Sequence, residues 1–175
     1  MTDTFMALEI RNISGHRGIR YRPLRDICKK ILSDMKLPDA EVSLLFVDDE
    51  YIKKINKKYL NRNRPTDVIA FSMLENVGNG FKPFLIDSGI VKNCSLQQKG
   101  VGTEQCSLPT ELPIKVLGDI IISVDTAKRQ AKEFGHSINQ ELKILFIHGL
   151  FHLFGYDDTS RKSKREMLKM EMRYR

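Results

Sequence analysis

Cysteine is scarce. Cys28, Cys94 and Cys106 are odd in number and far apart, which fits neither a disulfide framework nor a paired-cysteine zinc ribbon, so all three are expected to be reduced thiols. Long apolar runs are missing too: the densest, ILFIHGLFHLF at 144–154, falls well short of the roughly 20 residues that span a bilayer. The opening MTDTFMALEI carries Asp3 and Glu9 and no positive start feeding an apolar stretch, so it does not read as a secretion signal. No glycine run follows a strand as GxxxxGKS/T or GxGxxG, which excludes the usual phosphate-loop and dinucleotide sites. A soluble, cytoplasmic protein with no membrane partner is the expectation. With 41% apolar residues, 175 residues suffice for one substantial core and not for two, so a single domain over 1–175 is expected.

Acid is the deficient sign of charge. Asp and Glu number 22 against 29 Lys and Arg, a formal charge of +7 that favours polyanions such as RNA. The excess is uneven. Lys53, Lys54, Lys57, Lys58, Arg62 and Arg64 form an acid-free block, and Arg161, Lys162, Lys164, Arg165, Lys169, Arg173 and Arg175 form another, relieved only by Glu166 and Glu171. Either the two blocks border one groove and hold phosphates beside a reaction centre, or they are two solvated helix faces.

Strand-like composition marks ALEIRNI at 7–13, EVSLLFV at 41–47, VIAFS at 68–72 and VLGDIII at 116–122. Between the first two, Leu24, Ile27, Ile31 and Met35 recur at helical spacing. Asp48 or Asp49 caps a second helix whose apolar side carries Ile52, Ile55 and Tyr59. Ser123 or Asp125 caps a third that ends near Gly135, and Ser137 caps a fourth, apolar around most of its circumference from Leu142 onward. This order predicts an α+β domain with a small mixed sheet packed against helices, the fourth of them central and buried. The stretch from about 75 to 115 is rich in Gly and Pro and has no sustained apolar period, so it reads as an extended loop or a small docked hairpin.

That fourth helix carries His148 and His152, four residues apart and therefore on one face. Two such imidazoles reach a single zinc, which is why HxxxH recurs in metal hydrolases. Gly155 suits a positive φ at the helix end, and the turn swings Tyr156, Asp157 and Asp158 back. By spacing, Asp158 is the preferred third ligand, with Asp157 as a loop cap or a supporting neighbour. Three protein ligands leave a position open for water, as in catalytic rather than structural zinc sites. Gly149 stands where HExxH peptidases carry their general base, so peptide hydrolysis loses its main support and phosphodiester hydrolysis is favoured.

HGLFHLFGYDD at 148–158 closely resembles the HGxLHLxGYDH signature of the YbeY family. LGDIIISVD at 117–125 and PTDVIAFS at 65–72, preceded by NKKY at 56–59, are similar to further family segments in the same order. The resemblance implies a single-domain, metal-dependent endoribonuclease holding one zinc ion per chain. It also implies action on ribosomal RNA, including maturation of the 16S 3' end and ribosome quality control, with the small ribosomal subunit and ribosome-associated proteins as partners. His148 and His152 match its first two metal ligands, and Asp158 stands where its third histidine belongs. Leu60 replaces the family arginine after the tyrosine, leaving Arg62 or Arg64 as displaced phosphate-stabilising cations or as exposed turn residues. Asp67 and Asp119 are candidates to support the metal ligands. Asp67 alternatively organises its loop, and Gly118 permits a close backbone approach. Two other readings compete: a different zinc hydrolase, and a ribosome-associated RNA-binding or assembly protein with a structural metal.

Overall fold

The computed structural model describes residues 7–73 and 115–175. The excursion expected at about 75–115 lies outside them, apart from Lys115. In chain order the elements are β1 (Leu8–Asn12), α1 (Tyr21–Asp34), β2 (Ala40–Val47), α2 (Asp49–Leu60), β3 (Val68–Ser72), β4 (Lys115–Ser123), α3 (Val124–Phe134), α4 (Ile138–Leu153) and α5 (Arg161–Met172). All four expected strands are present. They form one mixed sheet in the order β1-β2-β4-β3, with β1, β2 and β4 parallel and β3 antiparallel to β4. The fold is α+β.

Side chains alternate across the strands, and each face meets different helices. Val42, Leu44, Phe46, Ile120 and Ile122 pack with the apolar sides of α1, α3, α4 and α5. Leu45, Val47, Ile69, Phe71 and Ile121 pack on the other face with Ile52 and Ile55 of α2. Because α4 touches the sheet on one side and α1, α3 and α5 on others, Leu142, Leu145, Phe146, Ile147, Leu150, Phe151 and Leu153 are all buried. That is the physical meaning of its nearly unbroken apolar surface.

Serine or aspartate caps fix the starts of α2, α3 and α4. Asp48, not Asp49, accepts from Tyr51 N at 2.7 Å, Ser123, not Asp125, accepts from Thr126 N at 3.2 Å, and Ser137 accepts from Gln140 N at 3.2 Å. Asp49 instead takes the Ser123 and Thr126 hydroxyls and pairs with Arg129, tying the start of α2 to the start of α3.

Near its start β4 bulges. Glu41 pairs with Val116 but Val42 pairs with Gly118, leaving Leu117 extra. A β-carbon at Gly118, where φ is 148°, would lie 2.1 Å from Phe71 O and 2.9 Å from Leu153 Cδ2, so the expected close approach is real and only glycine fits it.

Asp119 corrects an expectation. It shares a side of β4 with Ile121, so it points toward the α2 face, away from the helix that carries the histidines, and it does not support a metal ligand there. Burial to 5% exposure pushes its carboxyl from the ordinary 3.8 up to about 6, against a hydrogen bond from Ser43 and helped by the charge of Glu9 across β2. Its Oδ2 atom is buried without a hydrogen-bond partner. A folded-state value raised in this way favours the protonated fold. Its contribution is complete below about pH 3.8 and is lost as pH rises through about 6. Asp119→Asn, neutral at every pH, is therefore expected to gain up to about 3 kcal/mol over the parent at pH 8 and almost nothing at pH 4. Urea unfolding of both proteins at the two pH values checks this; an equal difference at both would remove burial of the charge as its cause.

Candidate metal centre

The last two turns of α4 set His148 and His152 one above the other, with ring centroids 4.6 Å apart and planes at 89°. Each ring is held from behind. Nδ1 of His152 lies 2.9 Å from Tyr156 O, and since a carbonyl only accepts, that nitrogen carries the proton. Nδ1 of His148 lies 2.7 Å from Glu171 Oε1. Burial alone would raise the Glu171 carboxyl, but the hydrogen bond and charge of His148, together with Arg175, outweigh it and hold Glu171 below the usual range. It is thus an anion accepting from His148.

With its Nδ1 protonated, His152 turns its Nε2 lone pair toward Nε2 of His148 across 3.1 Å. A proton or a metal ion between the two nitrogens bridges them at that distance. Bonds of about 2.0–2.1 Å meeting at a tetrahedral angle separate two nitrogens by about 3.3 Å, so the pair is already spaced for one zinc-sized ion. Burial, and then the neighbouring His148, push His152 below its ordinary value against the opposing Tyr156 carbonyl, Asp158 and Asp157. Lowering the value favours the neutral imidazole that a metal requires.

The third group arrives by the turn. Gly155 adopts φ 85°, its N–H donates to His152 O at 3.0 Å, and Tyr156 N donates to Phe151 O at 3.1 Å, closing the helix and reversing the chain. One ligand atom each from His148, His152 and Asp158 then lie within 4.8 Å of one another. Nitrogen, nitrogen and carboxylate oxygen form a donor set suited to zinc, and the residues fit the group.

Asp157 stays out of this set. It accepts from Thr159 N at 2.9 Å and from the Thr159 hydroxyl, bonds that hold its carboxyl below the usual range, so it caps the loop rather than supporting a ligand. Ser160 and Ser163 then form the capping box that starts α5. Asp67 is corrected likewise. Its bonds go to Val68 N (2.9 Å), the Thr66 hydroxyl (3.1 Å) and Gln130 Nε2 (3.0 Å), which makes it the organiser of its loop. Leu60 packs against the α2-side core, and Arg62 and Arg64 lie exposed in the loop beyond it. Lys53, Lys54, Lys57 and Lys58 ride on α2, across the sheet from α4, so the two basic blocks do not border one groove.

Glu171 was invisible in the motif. The signal that finds it is the spacing Met167, Glu171, Tyr174 within a basic segment, two buried positions on one face of α5 and a third in the turn just after it.

Fold and site together define a class: an α+β protein with three converging side chains that could hold a metal ion at the end of its central helix. A family model described as endoribonuclease YbeY matches residues 9–175. Two proteins named endoribonuclease YbeY are similar along most of the chain. That of Syntrophotalea carbinolica is 36% identical, covering 95% of this chain and 89% of its own, and that of Heliobacterium modesticaldum is 39% identical, covering 77% and 68%. The solution structure of TM1509 from Thermotoga maritima has the same fold, with a TM-score of 0.52 at 22% identity over 95% of this chain and 86% of that one. The chain belongs to the endoribonuclease YbeY family, whose enzymes depend on a metal.

Proposed function

We propose that this chain is a zinc-dependent endoribonuclease that holds one zinc ion through His148, His152 and Asp158 and hydrolyses phosphodiester bonds of ribosomal RNA. Family membership supports the substrate class. The observation that carries the chemistry is the pair of Nε2 atoms facing each other at 3.1 Å beside a carboxylate. When bound, zinc supplies a Lewis acid that polarises phosphate and makes water a nucleophile at neutral pH. Glu171 and the Tyr156 carbonyl fix the two imidazoles in the ligating tautomer. The exposed cations of α5, beginning at Arg161 three residues after Asp158, give the phosphate backbone its hold beside the centre.

The position after His148 offers no carboxylate base: it is Gly149, turned into the sheet, where a β-carbon would lie 2.9 Å from Ile120 Cγ2. This disfavours a peptidase or another zinc hydrolase of the HExxH kind. We assign the finer role as maturation of 16S rRNA 3' ends and ribosome quality control in the cytoplasm, on single-stranded segments, with the small ribosomal subunit and its associated proteins as partners. No described helix is long and apolar enough to cross a membrane. Asp158 and Leu60, which depart from the family motif beside the chemistry, favour one second reading: an RNA-binding assembly protein that keeps its metal for structure.

The test strips the protein with a chelator, follows cleavage of ribosomal RNA, and restores one equivalent of zinc. Cleavage is expected to stop and then resume while RNA binding persists. Cleavage by the metal-free protein would refute the proposal, and zinc-loaded protein that binds RNA without cutting it would support the assembly reading.

A further inference from the structure

Among the described residues, α2 is the one helix packed on its face of the sheet. Its inner side buries Ile52, Ile55 and Asn56, which leaves Lys53, Lys54, Lys57 and Lys58 exposed, and Arg62 and Arg64 continue the row into the following loop. Across residues 50–64 these six cations face one acid, Glu50. None of the six pairs with a carboxylate of the described residues, although Glu50 lies three and four positions before Lys53 and Lys54.

Part of the row has a local explanation. Lys57 and Lys58 occupy the last turn, where cations offset the helix dipole, and Lys58 sits 5.0 Å from the centre of the Tyr59 ring. Lys53 and Lys54 have neither compensation. With Lys57, Glu50 and Asn63 they line a concavity of ≈ 280 Å³. Three like charges held around a hollow with Glu50 as its one acid cost stability that an anionic occupant recovers.

Two observations select the occupant. Amphipathic helices that bind membranes present apolar side chains beside their cations, whereas α2 spends its apolar side on the core. The route from the metal centre to α2 is also short. α4 lies over β3, with Ser72 Oγ donating at 3.0 Å to Leu153 O, the residue after His152, and β3 is the outermost strand on that side among the described residues. A polymer leaving the centre rounds that edge past the loop of Arg62 and Arg64 and meets α2 on the far face. Straight through the sheet the two helix layers are about 20 Å apart, two layer spacings of about 10 Å, and the way round the edge is longer.

We infer that the outer face of α2, centred on Lys53, Lys54 and Lys57, is a second RNA-backbone site that grips a distal stretch of the strand held at the metal centre. The inference rests on the proposed RNA substrate and adds to it a requirement for length.

The experiment uses the full chain and a ladder of single-stranded RNAs from about 4 to about 16 nucleotides, with binding measured against salt concentration. K53Q/K54Q/K57Q is expected to weaken binding of the longest RNAs on the order of tenfold at low salt. The slope of log affinity against log salt should fall by about 2, three contacts at about 0.7 each. The shortest RNAs should bind as they do to the parent, and K53R/K54R/K57R should restore long-RNA binding. The three side chains are exposed, so the fold is retained. Unchanged affinity and slope for the longest RNAs would overturn the inference and point to an acidic protein surface as the occupant. Equal loss along the whole ladder would also overturn it, since that is general attraction. Binding needs no cleavage, so a chain that grips long RNA through α2 but cuts none keeps this inference while the proposed hydrolysis fails.

Discussion

His152→Ala is expected to lose the metal and RNA cleavage together while keeping the fold. His152 is half-buried at the end of α4, and its Nε2 is one of the two facing ring nitrogens. Alanine keeps the helix and opens a space toward solvent rather than in the core. What remains is His148 and Asp158, a two-ligand set that no longer surrounds an ion. Glu171→Gln is the graded comparison. It keeps an acceptor for the His148 ring but removes the anion, and loss of such a supporting partner costs about 10- to 100-fold in metal affinity or activity. His152→Ala should exceed that. Zinc titration, cleavage rate and circular dichroism on the three proteins decide the matter; an alanine variant that binds zinc and cleaves normally would remove His152 from the centre.

Asp158 extends the same series. Asp158→Ala is expected to weaken zinc and cleavage in parallel, because its carboxylate is the only third donor brought within 4.8 Å of the histidines among the described residues. Asp158→His restores the residue of the family motif. A neutral imidazole in place of an anion leaves more positive charge at the centre, so this variant should retain zinc and cleave faster. Unchanged zinc affinity in Asp158→Ala would reduce Asp158 to a loop residue.

Local periodicity made the elements and most of the centre legible. The HxxxH spacing, the glycine turn and the acidic residue after it are short-range facts, and the structure brings those three side chains together. Orientation across the sheet was not legible. Ile120, Ile121 and Ile122 are apolar on both faces of β4, so alternation gave no sign of which side Asp119 takes, and the bulge at Leu117 further shifts the count. The two basic blocks were separable only by topology, since α2 and α5 reach opposite faces through crossovers that composition does not encode. Glu171 lies 23 residues from His148, beyond any local repeat.

Gly149 carries the other large effect, because it decides how near α4 comes to the sheet. A β-carbon at this position would meet Ile120 Cγ2 at 2.9 Å and Val68 Cγ2 at 3.3 Å, both atoms of stiff β-branched side chains in the packed interface. Gly149→Ala would ordinarily gain about 1 kcal/mol of helix propensity. Here the helix must lift or the isoleucine leave its rotamer, so a net loss of about 1–3 kcal/mol is expected, as for other overpacked cores. Gly149→Glu, which writes HExxH into the chain, should cost more than about 4 kcal/mol. It adds the same clash and buries a carboxylate against apolar side chains without a partner. Any protein that still folds should gain no peptide hydrolysis, since the new side chain points into the sheet and not toward the face where His148 and His152 meet. Urea unfolding of both variants, with a peptide substrate offered to the zinc-loaded proteins, tests the point. A stable, peptide-cleaving Gly149→Glu would mean that this position faces the metal and that α4 is rotated from the orientation described.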